Sequence, residues 1–338
     1  MHEPSIQEKR EGEAFGRLKD GRPARLYTLT SDALSLSITD YGARMVSLSA
    51  KDAPGHSIIL GYDNVAAYEA DPAFLGACCG RYANRIYGAR YEIDGVAYNL
   101  PANDAPHTLH GGPKGFFARL WEMVAVSDDS LTLRLISPDG DQGFGGQLEV
   151  EAQFVLSGDG LTVTYVASTT KPTPISLTHH PYFNLRGAGD IHDHVLHVPA
   201  TGIMNGFQDA ARPHDIHDLE GHPELDFRAP IRIGDKLSAL PVGIDHTYAV
   251  EKDAVFTLSH PEVARSLTVS ADMPSVQVYA GANLKGGRNR PGGLPYKPFE
   301  GLCLEPQAFP DAPNAPSLPP AILRPGETYQ RQILYTYR

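Results

Sequence analysis

Apolar and polar residues alternate with a period of two along much of the chain. Leu34, Leu36 and Ile38 are separated by Ser35 and Ser37, and Leu131, Leu133 and Leu135 by Thr132 and Arg134. Leu148, Val150, Ala152 and Phe154 alternate with Glu149, Glu151 and Gln153; Leu161, Val163 and Tyr165 alternate with Thr162 and Thr164. Successive side chains of a strand point to opposite faces, so this pattern predicts half-buried strands. Further strands are predicted over Ala254–Ser259, Ser266–Ser270, Val276–Tyr279 and Gln332–Tyr337. Turn chemistry separates them, at Asp139-Gly140, Gly143 to Gly146, Gly158-Asp159-Gly160 and Pro325-Gly326. Helical signals are short, at Asn64–Ala70 and Gly115–Trp121. No repeated βα alternation exists, which argues against doubly wound and TIM-barrel folds. The pattern predicts an all-β fold, a large antiparallel β-sandwich with few short helices.

No linker or internal repeat divides the 338 residues, so one domain over 1–338 is expected. The charged stretch of roughly residues 1–12 reads as an N-terminal extension prone to disorder. Asn205–Pro230, rich in Asp, His and Pro, reads as a long surface excursion within that domain.

Composition sharpens this in a few places. The 33 glycines and 28 prolines make about 18% of the chain, against roughly 12% ordinarily, and disfavour a helix bundle. The formal charge of −11 and the lack of a Lys/Arg run argue against a nucleic-acid partner. No apolar run approaches a membrane span, and the charged N-terminus lacks the apolar core of a secretory signal. A cytoplasmic location and no membrane partner are therefore expected. The three cysteines, Cys78, Cys79 and Cys303, lack CxxC spacing and are expected to pack in the core.

Five segments combine polar residues in ways that packing does not require. They are Gly80–Ile86, Leu109–Gly112, Leu177–Leu185, Gly243–His246 and Leu302–Gln307. Strand parity sets Glu305 with Cys303, opposite Leu302 and Leu304. It likewise sets His180 opposite His179, and Gln277 opposite Val276 and Val278. A polar cleft on one sheet face fits this better than three separate solvated residues. A carboxylate with a histidine is an acid–base pair, suited to proton transfer at a sugar hemiacetal and equally to hydrolysis or isomerisation. His192-Asp193-His194 with His197, and His179-His180, contain metal-ligand types but match neither HExxH nor a Cys/His zinc pattern. No GxSxG or GxxxxGK[ST] motif is present.

In the order and spacing of these segments the chain resembles the aldose 1-epimerase, or galactose mutarotase, family. The resemblance runs from Phe15-Gly16 through Tyr41-Gly42-Ala43, Leu60-Gly61-Tyr62, His110-Gly111-Gly112 and Ser137-Pro138-Asp139-Gly140 to Phe309-Pro310-Asp311. It implies a supersandwich fold with a sugar site on a concave sheet, and a reaction without cofactor or metal. By matching positions it implies Glu305 as catalytic base, His180 as catalytic acid and His110 as a second active-site histidine. It implies Asn84, Arg85, Asp245 and Gln277 as sugar-binding residues. The implied partner is an aldohexose substrate, and the implied assembly a monomer or homodimer. Pro181 and Pro306 depart from the family pattern beside the two catalytic positions. Two other readings stand beside the enzyme: a non-catalytic sugar-binding protein, and a hexose-phosphate 1-epimerase using the basic patch of Lys285, Arg288 and Arg290.

Overall fold

A computed structural model describes residues 11–206, 213–240, 242–284 and 294–338. Most of the predicted N-terminal extension and the whole basic patch of Lys285, Arg288 and Arg290 lie outside the described residues.

The longest alternating runs form the middle of a nine-stranded antiparallel sheet. Leu148–Ser157 and Gly160–Thr169 are joined by a two-residue turn, and Gly158 takes a φ of 54° there. That left-handed conformation carries little cost without a Cβ. In the resulting register Phe154 faces Val163 and Ala152 faces Tyr165, so the apolar sets of both strands share one side. Ser130–Ser137 pairs on one flank and Tyr329–Tyr337 on the other. Val263–Ala271 and Val255–His260 continue the sheet.

A four-stranded sheet is built from Glu13–Arg17, Pro23–Thr30, Leu34–Thr39 and Arg44–Ala50. A five-stranded sheet runs in the order Ile216–His217, Ala200–Met204, Asp245–Val250, Ser275–Tyr279 and Cys303–Gln307. One continuous cluster of buried side chains joins all three sheets: Leu36 and Met45 from the first, Phe154 and Tyr165 from the largest, Val276, Val278 and Leu304 from the third. The sandwich predicted from the alternation is the fold observed.

Local differences have simple causes. The predicted helix at Asn64–Ala70 forms over Val65–Glu69, with the Asn64 side chain accepting from Ala67 N–H at 3.0 Å as its N-cap. The predicted helix at Gly115–Trp121 is only a 3₁₀ turn, Phe116–Ala118. Phe116 and Trp121 are both drawn into the core, and Arg119 is already extended. A short helix at Ile233–Leu237 gave no sequence signal. Asn205–Pro230 is more than a surface excursion. Its described part adds the strand Ile216–His217 to the five-stranded sheet and sends Leu219, Leu225 and Phe227 into the core.

The parity reading has a direct consequence for stability. Phe154→Ala should lower the unfolding free energy by about 3–5 kcal/mol in urea titration. Gln153→Ala, on the opposite side of the same strand, should change it by less than about 0.5–1 kcal/mol.

Candidate active site

The site begins with the register of three adjacent strands. Thr247 lies opposite Gln277, and Gln277 opposite Glu305, in one row across the five-stranded sheet. The next row is Asp245, Tyr279 and Cys303. Positions two apart share a face, so both rows present to one side. Val276, Val278 and Leu304 turn the other way, into the core. The Thr247 hydroxyl donates to Gln277 Oε1 at 2.5 Å, and Gln277 Nε2 donates to Asp245 Oδ1 at 2.6 Å. These two bonds fix the orientation of the Gln277 amide.

Two further segments bring the histidines over these rows. Thr178–His179 pairs with Cys78–Cys79, and His180 follows directly. His179 and His180 point in opposite directions, as their parity requires. His179 Nε2 donates to the Ala43 carbonyl at 2.9 Å, so its Nδ1 accepts from the Tyr165 hydroxyl at 2.5 Å. His179 is therefore a satisfied core residue. His180 faces the sheet, its Nε2 3.5 Å from Glu305 Oε1 and its Nδ1 3.4 Å from Cys303 Sγ.

Arg85–Ile86 pairs with Thr108–Leu109. At its end Asn84 and His110 both adopt left-handed backbone, with φ of 61° and 50°. His110 N–H donates to the Asn84 carbonyl at 3.0 Å, and Asn84 N–H donates to His110 Nδ1 at 3.1 Å. The second bond makes Nδ1 an acceptor, so neutral His110 carries its proton on Nε2. Gly111 is obligatory here: a Cβ on it would lie 2.1 Å from the Gly80 carbonyl oxygen, and its φ is +83°. Arg85 Nε donates to Asp104 Oδ2 at 2.6 Å.

Asn84, Arg85, His110, His180, Asp245, Gln277 and Glu305 all line one cleft of about 350 Å³. All seven site residues expected from the sequence thus lie in one lining. The sequence missed Asp104 and Asn283, which come from loops, and Phe74, whose left-handed backbone (φ 57°) turns its ring onto His110. It also missed Tyr279 and Cys303 as members of the site, although parity with Gln277 and Glu305 pointed to both. A larger cavity, about 470 Å³, lies against Ile175, Met273 and Leu323. Its lining contains no histidine, so size does not identify the site.

Burial dominates the electrostatics. Glu305 is 2% exposed and its Oε2 has no hydrogen-bond partner. Removal from water pushes its carboxyl well above the usual range; the Asp245 charge adds to this and Arg85 opposes it. Burial lowers His180 to about 4. It also holds His110 well below the usual range, with His180 and Arg85 adding repulsion. Burial likewise raises Asp245.

Among the described residues, the histidines outside the cleft join no cluster of three metal-ligand side chains. His194 is fully buried, its Nε2 accepting from Leu185 N–H at 2.9 Å, and His192 pairs with Asp190. Among the described residues, one set of three His, Cys, Asp or Glu side chains has ligand atoms all within 4.8 Å of one another: His110, His180 and Glu305. No helix of the described residues is long and apolar enough to cross a membrane.

The cleft thus sets a buried carboxyl and imidazole beside a row of hydrogen-bonding side chains. A family model described as aldose 1-epimerase matches residues 25–336. The chain belongs to the aldose 1-epimerase family. It is 35% identical to galactose mutarotase of Rattus norvegicus over 333 residues, covering 96% of this chain and 97% of that protein. It is also 35% identical to aldose 1-epimerase of Escherichia coli K12, covering 94% and 96%. Among solved structures, an aldose epimerase homologue from C. elegans superposes with a TM-score of 0.86 at 25% identity, over 93% of this chain and 99% of the other. Galactose 1-epimerase from Lactobacillus acidophilus has the same fold, with a TM-score of 0.84 at 24% identity over 96% and 97%. The departure from the family pattern at Pro306 has a structural reason. Cys303–Gln307 is an edge strand of its sheet, where a missing backbone N–H is tolerated.

The close approach at Gly111 is directly testable. Gly111→Ala should destabilise the protein by at least about 1 kcal/mol in chemical denaturation, because alanine fits neither the space nor the backbone angle.

Proposed function

We propose that the protein is an aldose 1-epimerase interconverting the α and β anomers of free hexoses such as galactose or glucose. The observation that carries this reading is the buried Glu305–His180 pair at 3.5 Å, set beside Asn84, Arg85, Asp245 and Gln277 in one cleft. A free sugar is neutral, so a cleft for it needs directional donors and acceptors rather than a charge cluster.

Glu305 takes the proton of the anomeric hydroxyl while His180 Nε2 gives one to the ring oxygen. The C1–ring oxygen bond breaks, and the free aldehyde forms. Rotation about C1–C2 presents the other carbonyl face, and both proton transfers reverse on closure. The two residues carry one mobile proton between them throughout. With the ring closed and poised to open, it resides on His180 and Glu305 is ionised. After opening, Glu305 is protonated and His180 neutral. Burial disfavours charge on both groups, and so favours the state that accompanies the open sugar. Arg85 acts in the other direction on Glu305, which keeps the ionised state within reach. His110, with its proton on Nε2, supplies a donor to oxygen where charge develops.

Polarimetry of freshly dissolved α-galactose tests the activity. The wild type should race ahead of buffer, and a rate equal to buffer across several aldoses would exclude it. Glu305→Gln should lower kcat by roughly 10²–10⁴-fold with the fold retained. Galactose binding without anomerisation in the wild type would favour the sugar-binding alternative.

The shifted groups also predict the pH profile. A second proton reaches the pair only as pH falls toward the lowered His180 value of about 4, and removes the base. The shared proton leaves only above the ordinary carboxylate range, because Glu305 is raised. On the acid side, kcat/KM should therefore hold until pH falls toward about 4. An acid limb near the ordinary histidine pKa of about 6.5 would contradict this.

The spacing of His110, His180 and Glu305 favours one competing reading, a bound cation. Under the acid–base reading EDTA leaves activity unchanged, whereas under the competing one EDTA abolishes it and an added divalent metal restores it.

A further inference from the structure

The wall of the cleft carries a charge pairing that the acid–base reading does not use. Arg85 is the one lysine or arginine among its described lining residues, set against the carboxyl groups of Asp104, Asp245 and Glu305. Its Nε donates to Asp104 Oδ2 at 2.6 Å. Resting on the mutarotase reading above, we propose that Asp104 is a specificity-determining residue: it balances the charge of Arg85, so that the cleft takes neutral aldoses and rejects aldoses that carry an anionic group.

The loop that bears Asp104 is pinned on both sides of it. Asp104 N–H donates to the His107 carbonyl at 3.1 Å, and His107 N–H donates to the Asp104 carbonyl at 2.8 Å. Asn103 grips Leu109 at both backbone groups. Its Nδ2 donates to the Leu109 carbonyl at 3.0 Å, and its Oδ1 accepts from Leu109 N–H at 2.9 Å. Leu109 precedes His110 and is the strand partner of Arg85. Asp104 is thereby anchored to the same short ladder that holds Arg85, and little chain must be ordered to make the ion pair.

Charge balance then decides what the cleft accepts. The guanidinium fork matches carboxylate and phosphate groups, so an arginine in a sugar cleft invites anions. With Asp104 on Nε, an incoming carboxylate meets a cation already balanced, with two more carboxyl groups close by. The cost of taking that carboxylate out of water is not offset. A sugar hydroxyl makes no such demand, because a neutral oxygen accepts from a guanidinium N–H whether or not its charge is balanced. The Asp104 side chain is 40% exposed and that of Arg85 15%, so water screens the pair in part and the discrimination is moderate.

The test compares galactose with galacturonate, the same sugar carrying a carboxylate at C6. Polarimetry gives kcat/KM for each, and galacturonate is also measured as a competitive inhibitor of galactose turnover. The wild type should favour galactose. Asp104→Asn keeps an oxygen for Arg85 Nε–H and removes only the charge. In this variant the galactose-to-galacturonate ratio should fall by roughly threefold to tenfold, and the inhibition constant of galacturonate relative to the galactose KM should fall with it. Asp104→Ala should move both in the same direction. Each ratio is taken on one protein sample, so a loss of folded fraction cancels, and a purely structural role would lower both sugars alike. A ratio and a relative inhibition constant unchanged in both variants would overturn the proposal, as would a wild type that handles galacturonate as well as galactose. Failure of the mutarotase reading itself would appear separately, as no acceleration of galactose mutarotation by the wild type.

Discussion

A carboxyl group and an imidazole held 3.5 Å apart, both withdrawn from water, are the constraint on which the site depends. In water each would hold its ordinary charge, and proton transfer to a sugar hydroxyl would be uphill. Within the cleft, charge on either is penalised, and a small rearrangement of one proton interconverts their states. In the proposed mechanism this is what lets the pair exchange protons with a substrate at low cost. The rest of the cleft follows from that need. Arg85 tempers the penalty on Glu305, while Gln277, tied between Thr247 and Asp245, holds a fixed pattern of donors and acceptors.

The fold produces this by register. Thr247, Gln277 and Glu305 come from three strands far apart in sequence, yet they stand in one row because antiparallel pairing aligns them. The same pairing sends Val276, Val278 and Leu304 into the common core, which resists a register slip: moving one residue would bury Glu305 among apolar side chains and expose the valines. His180 is fixed from the other direction, by the short pairing of Thr178–His179 with Cys78–Cys79 and by His179 locked in the core between Tyr165 and Ala43. Two adjacent histidines thus do opposite jobs, one anchoring the segment and one facing the cleft.

Parity made much of this legible in the sequence. Period-two alternation located the long strands, and the sides of Glu305, Gln277 and His180 followed from it. Two things were not legible. Strand neighbours are a non-local property, so no local pattern tied Asp245 to Gln277 or Gln277 to Glu305. Side chains turned by left-handed or loop backbone, such as Phe74, Asp104 and Asn283, carry no periodic signal. The short elements failed for a related reason. The Phe116–Ala118 turn and the described part of Asn205–Pro230 are shaped by tertiary burial of Phe116, Leu219 and Phe227 rather than by their own propensities.

The central claim is that burial raises the proton affinity of Glu305 and lowers that of His180, drawing the shared proton toward Glu305. Infrared difference spectroscopy between the wild type and Glu305→Gln at neutral pH, without sugar, tests this most directly. The account predicts a protonated carboxylic acid C=O stretch in the wild type that is absent from the variant. Loss of only an ionised carboxylate band would contradict it.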